Sequence, residues 1–141
     1  VLPRPAARRP RRHRAPGIEV AILGFGTART AIAHMPEAPV PASARALAQA
    51  GLAIGQIDAV KSHNPFIVND LVFAKETGFP LSGMNNYGCS LVWGHPQGPT
   101  GLRAMIELIE ELSARGGGRG LFQGCAAGDT AMAVVIEVRG C

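Results

Sequence analysis

At 141 residues the chain is of single-domain size, and with 47% hydrophobic and 17% charged residues it can bury a core, which excludes wholesale disorder. No apolar run approaches the roughly 18 residues that a membrane-spanning helix needs, so no membrane partner is expected. The net charge of +4 sits at one end: residues 1–16 hold six arginines, four prolines and no acid, while the other 125 residues carry eight basic and ten acidic groups.

That leader is expected to lie outside the core, giving a basic Pro/Arg-rich segment over 1–17 and a folded domain over 18–141. Arginines could engage nucleic acid or an anionic surface. The segment has no aromatic side chain to stack on bases, so a flexible tail or a connection left over from a longer chain is the preferred reading and nucleic acid is disfavoured. No apolar stretch follows the arginines, as a secretory signal would require. Cys89, Cys125 and Cys141 are odd in number and lack a CxxC spacing, which disfavours a disulfide scaffold or structural zinc and suggests a reducing, cytoplasmic setting.

From Gly17 onward the pattern becomes regular. Ile18, Val20 and Ile22 alternate with Glu19 and Ala21, predicting a half-buried strand into Leu23–Gly24. Gly24-Phe25-Gly26 invites a dinucleotide reading, but no third glycine follows, and Pro36, Pro39 and Pro41 forbid an immediate helix. Residues 33–41 read as a proline-broken loop, with Ser43 capping a helix over Ala44–Ala50 and Gly51 stopping it. Ile57–Ser62 predicts a short strand running into His63-Asn64-Pro65-Phe66, after which a helix extends to Gly78. Residues 79–101 read as a long ordered loop. A helix over Leu102–Arg115 should bury Leu102, Met105, Ile106, Ile109 and Leu112, with Glu107, Glu110 and Glu111 opposite. Gly120–Gly124 and Ala131–Val138 predict two final strands joined at Ala127-Gly128-Asp129. The sum is an α/β fold, a mixed β-sheet with helices packed on it.

Three groups fall at strand ends or in glycine-rich turns, where such folds place their sites. His63 ends the second strand, His95 sits in Gly94-His95-Pro96, and Cys125 closes the strand before the last turn. Each has a bland alternative: a hydrogen-bonded structural histidine, or a cysteine acting as a small buried hydrophobe. For His95 the flanking Gly and Pro fix the backbone, and the loop leads into a helix N-terminus, a setting in which imidazole works as a base. A cysteine and a histidine so placed suit acyl chemistry through a thiol. The histidines are too widely spaced for a metal site.

The stretch from Asn85 to Arg103, Asn-Asn-Tyr-Gly-Cys-Ser-Leu-Val-Trp-Gly-His-Pro-Gln-Gly-Pro-Thr-Gly-Leu-Arg, closely resembles the carboxy-terminal signature of thiolases. Cys125-Ala126-Ala127-Gly128 is similar to that family's Cys-x-Gly turn, and His63-Asn64-Pro65-Phe66 to its Asn-Glu-Ala-Phe block. The three blocks stand in the family's order, and the resemblance spans about residues 18–138. It implies a thiolase-like half and, in lipid and fatty-acid metabolism, Claisen condensation or thiolytic cleavage of 3-oxoacyl-CoA. Under it, His95 takes the proton from a nucleophilic cysteine, and Cys125 is the acid/base at the substrate α-carbon or the leaving thiol. His63, where the family usually has Asn, helps hold an oxyanion-hole water, as in the sterol-carrier-type branch. Phe66, Gly94 and Gly128 would line the substrate site.

No cofactor is implied, coenzyme A being a substrate. The chain departs from the pattern where Gly88-Cys89 replaces Gly-Gly, where Ala127 replaces a glycine, and where Asp129 enters the turn, changes expected to alter backbone freedom near the oxyanion holes. Thiolases have two similar halves, and this chain matches the second. The nucleophilic cysteine belongs to the first, and Cys89 is not that residue by position. The expected partners are therefore acyl-CoA and an N-terminal half, in a homo- or hetero-oligomer. A catalytically silent assembly subunit is the alternative.

Overall fold

The computed structural model describes residues 17–140. Apart from Gly17, the expected leader lies outside the described residues, as does Cys141. Strand β1 (Glu19–Arg29) is followed by helix α1 (Pro39–Ala50), strand β2 (Ala59–His63), helix α2 (Ile67–Thr77), the single turn α3 (Ser90–Trp93), helix α4 (Thr100–Ala114) and strands β3 (Gly118–Ala126) and β4 (Thr130–Arg139). The four strands form one mixed sheet in the order β1-β4-β3-β2. β4 is antiparallel to both neighbours, whereas β2 runs parallel to β3 across the long connection that carries α2 and α4.

Helices cover both faces. Ala42, Ala46 and Leu47 of α1 and Phe73 of α2 pack with Val60, Leu121, Ala133 and Val135 on one side. Ala104, Leu108 and Leu112 of α4 pack with Ala59, Phe122, Ile136 and Val138 on the other.

The structure corrects several sequence expectations. β1 does not stop at Gly24. A bulge between Ile22 and Gly24 shifts the alternation by one residue, so Ile22, Phe25 and Thr27 share a face and the strand runs on to Arg29. Gly24 and Gly26 then lie under α1, where a Cβ would come 2.4 Å from the Ala46 carbonyl oxygen and 2.2 Å from that of Ala42. Close helix–sheet approach is what those glycines serve.

α1 begins at Pro39 and not after Ser43, because proline at the first turn surrenders an N–H that has no intrahelical partner there. Ser43 is buried inside the helix. Met35–Glu37 forms a 3-10 turn within the stretch read as broken loop. α4 is rotated from the expected face: Leu102 and Ile106 are 68% and 50% exposed, while Glu111 is buried. Its apolar arc is wide enough to address the sheet with Ala104, Leu108 and Leu112 and still show hydrocarbon on a second flank. α2 likewise leaves Phe66, Ile67, Val68 and Leu71 exposed around its start.

Candidate active site

The parallel pairing of β2 with β3 sets His63 directly beside Gly124, one residue before Cys125. Any larger residue at 124 would collide with the histidine, since a Cβ there would sit 2.7 Å from His63 Cβ. The strand ends open on a cleft of about 700 Å³ lined by His63, Cys125, Gln97, Gly98, Arg29 and Arg45, among others. His95, on the loop after α3, brings its ring edge-on to His63, 4.4 Å between centroids and 70° between planes. Two of the predicted residues therefore line one cleft, and the third touches it through His63. Phe66, 58% exposed at the N-cap of α2, lies outside that lining, as do Gly94 and Gly128.

The His95 loop is tied down from several sides. Thr100 Oγ1, at the first position of α4, is 3.1 Å from His95 Nδ1. Both terminal nitrogens of Arg103 donate to the Gly94 carbonyl at 3.2 Å, and its Nε lies 3.5 Å from Glu107 Oε1. Buried Lys61 donates to the Gly88 carbonyl at 3.2 Å, with Glu107 and Glu111 carboxylates 3.9 Å away. Burial pushes the Lys61 ammonium below its ordinary range, against the pull of those two acids. Gln97 adopts φ +61°, a conformation uncommon outside glycine, within this anchored loop.

A second network fixes the other histidine. Asp70 accepts from Ser62 Oγ and from Asn64 Nδ2, each at 2.5 Å, and from Asn85 Nδ2 at 3.2 Å. Asn64 Oδ1 accepts from the Ser90 N–H at 3.1 Å, and Asn85 Oδ1 from the Ser62 N–H at 2.9 Å. Asp70 thus joins the end of β2 to the loop leading to His95.

Burial, and then the proximity of His95, hold His63 below the usual imidazole range; the backbone at His63 and Cys125 acts the other way. Burial pushes the Cys125 thiol up, partly opposed by the Asn69 side chain, whose Nδ2 donates to Sγ at 3.2 Å.

The departures from the expected glycine pattern are accommodated. Cys89 is extended, at φ −163° and ψ −173°, which any residue adopts. Gly88 is the position that needs glycine, at φ +109° with Trp93 Nε1 2.1 Å from where a Cβ would sit. In the β3–β4 turn the positive φ angles belong to Gly128 and Asp129, so Ala127 meets no such demand.

Comparison with known proteins decides the lineage. The family profile described as "Thiolase, C-terminal domain" matches residues 18–138. The chain belongs to the thiolase C-terminal domain family. The acetyl-CoA acetyltransferase of Shinella zoogloeoides is 35% identical over 121 residues, covering 86% of this chain and 28% of that protein. The corresponding protein of Escherichia coli strain K12 is 32% identical over the same shares. The crystal structure of the Bacillus anthracis acetyl-CoA acetyltransferase superposes with a TM-score of 0.81 at 28% identity, covering 84% of this chain and 30% of that one. This thiolase domain therefore spans under a third of the length of those relatives.

Sequence reasoning missed Asn69, Asp70, Thr100 and Arg103. Thr100 and Arg103 lie inside the recognised signature and could have been assigned to the loop they brace. Asn69 and Asp70 carry no periodic signal; their role comes from α2 lying across the ends of β2 and β3.

Proposed function

We propose that this thiolase domain is the C-terminal half of an acyltransferase that condenses acyl-CoA or cleaves 3-oxoacyl-CoA, with the nucleophilic cysteine supplied by an N-terminal half. The observation that carries the reading is that His63 and Cys125 line one cleft, with the His95 ring set against His63. With Nδ1–H donating to Thr100 Oγ1, Nε2 of His95 is left as the base: it takes the proton of the nucleophilic thiol as the sulfur attacks the thioester. The departing CoA thiolate is protonated by Cys125. In the condensing direction the Cys125 thiolate then removes a proton from the α-carbon of the second acyl-CoA. The carbanion attacks the acyl-enzyme carbonyl and releases the nucleophilic cysteine. A thiol raised by burial leaves a thiolate that is a stronger base, which suits abstraction from carbon. Neutral His63 offers one N–H toward a water or enolate oxygen, consistent with an oxyanion hole.

Acetoacetyl-CoA cleavage by the chain, alone and with an N-terminal thiolase half, tests this reading. Turnover is expected only with the added half, and His95→Ala should lower it by about 10²–10⁴-fold. Robust cleavage by the chain alone that disappears with Cys89→Ala would make Cys89 the nucleophile and overturn the proposal. A reconstituted pair indifferent to His95→Ala would point to a silent assembly subunit.

A further inference from the structure

A sulfur that gains and loses a proton in every cycle needs surroundings that suit both charge states. A buried thiolate needs a donor, whereas a thiol gains from an acceptor. The side chain placed against Cys125 Sγ is that of Asn69 on α2, 1% exposed, with Nδ2 at 3.2 Å. Its own Oδ1 is buried and has no hydrogen-bond partner among the described residues. The neighbouring carboxamides differ: Asn64 is held at Nδ2 by Asp70 and at Oδ1 by Ser90 N–H, and Asn85 is held at both ends by Ser62. Among the described residues, the amide of Asn69 is fastened through the sulfur alone.

We propose, on the acyltransferase reading above, that Asn69 is the positioning residue for Cys125: Nδ2–H donates to the sulfur as thiolate, and Oδ1, after a half-turn of the amide, accepts the S–H of the thiol. Because no other contact fixes the amide's sense, the half-turn breaks no second hydrogen bond. Proton transfer to or from the substrate α-carbon then leaves Cys125 with a matched partner on both sides of the step. Among the described residues, the other titratable or charged groups at this cleft are His63 on β2 with His95 against it, Arg29 on β1 and Arg45 on α1. The β4 residues lining it, Thr130, Ala131 and Met132, bring no charge, and Asp70 of α2 is already engaged by three donors.

The test is a pH titration of the Cys125 ¹³Cβ shift in the full chain labelled at cysteine, with Cys89→Ser and Cys141→Ser removing the other thiols. Asn69→Ala should move the midpoint up by about half a pH unit or more, and Asn69→Asp, whose carboxylate only accepts, should move it further. If Asn69 merely filled space, Asn69→Ala would admit water, relieve burial and move the midpoint down. An unchanged or lowered midpoint in Asn69→Ala overturns the proposal; if that variant does not fold, the similarly sized Asn69→Leu, which fills the site without offering a donor, carries the test by the same criterion, because a carboxylate at 69 raises the midpoint by charge alone. The titration uses no substrate. A raised midpoint beside a reconstituted enzyme without turnover would therefore sink the acyltransferase reading and leave the thiol contact standing.

Discussion

The His63 and His95 rings meet edge to face at 4.4 Å, close enough that charge on His95 disfavours a proton on His63. Burial acts on His63 in the same sense. The pair therefore divides into a ring kept neutral at the end of β2 and a ring held by Thr100 in the loop before α4. A base and a neutral hydrogen-bond donor side by side are what the proposed chemistry uses at successive steps.

The depressed affinity of His63 for a proton has a consequence for stability. Below the ordinary imidazole value of 6.5 the unfolded chain protonates this residue before the folded one does. The unfolded state then holds more protons, so stability falls as pH drops through that value and levels off below the folded pKa. His34 works in the opposite sense, because hydrogen bonding and charge from Glu37 raise it. The difference between parent and variant isolates His63. In denaturant titrations from pH 7.5 to 4.5, His63→Asn should lose stability less steeply than the parent, and an equal or steeper slope contradicts the assignment.

Gly26→Ala should be severe although it adds a single methyl. The new Cβ would meet the Ala42 carbonyl oxygen at 2.2 Å and the Ala46 nitrogen at 2.7 Å, both helix backbone, so α1 as a whole must shift. Overpacking of this kind costs about 1–3 kcal/mol, more where backbone has to move. Gly55→Ala, with nothing within 4 Å, is the control and should lie within about 0.5 kcal/mol of the parent. Thermal unfolding of the two variants measures the contrast.

Gly24 and Gly26 also mark the limit of what the sequence discloses. Alternation showed where β1 starts, but its phase slips at the bulge, so the strand looked finished when it was half built. The prolines before α1 read as breakers because residue type alone does not reveal that they fall in the first turn, where their missing N–H costs nothing. α4 was visible from its spacing, yet its buried face was misread: a helix apolar on two flanks offers two candidate stripes, and the sheet selects one. His63, His95 and Cys125 were legible because they stand in recognisable blocks at strand ends. Their supports were not, since hydrogen bonds that tie Asp70 of α2 to Asn85, 15 residues later, and Asn64 to Ser90, 26 residues later, leave no local pattern.

Asp70 is where that hidden network is most vulnerable. Asp70→Ala would strip the acceptor from buried Ser62 and Asn64, at about 1–3 kcal/mol each where water cannot reach them, and leave half-buried Asn85 Nδ2 with Ser62 Oγ alone. The variant should be destabilised by several kcal/mol. Asp70→Asn, which keeps the shape and one acceptor, should recover part of the loss. Chemical denaturation of both variants would show this ranking, and equal stabilities would mean that the network contributes little.

The last expectation concerns the open half of the sheet. α4 packs chiefly over β2 and β3, so the same face of β1 and β4 is bare toward Ile22, Phe25 and Met132, which are 69%, 60% and 47% exposed. These residues share a face because register pairs Ile22 with Ile136 and Phe25 with Val134, and Met132 follows two residues before Val134. The outer flank of α4 adds Leu102 and Ile106 on the same side of the sheet. Contiguous apolar surface beyond a few hundred Å² is uncommon on monomers and marks an interaction site. On the proposed reading this is where the N-terminal half sits. Sedimentation at tens of micromolar should then show association, either of the chain with itself or with an added N-terminal half. The double variant Ile22→Glu, Phe25→Ser should weaken that association at least tenfold, equivalent to about 1.4 kcal/mol. Because both side chains already face solvent, its folding midpoint should stay close to the parent's. A parent chain that remains monomeric and ignores the N-terminal half would remove this face as the contact.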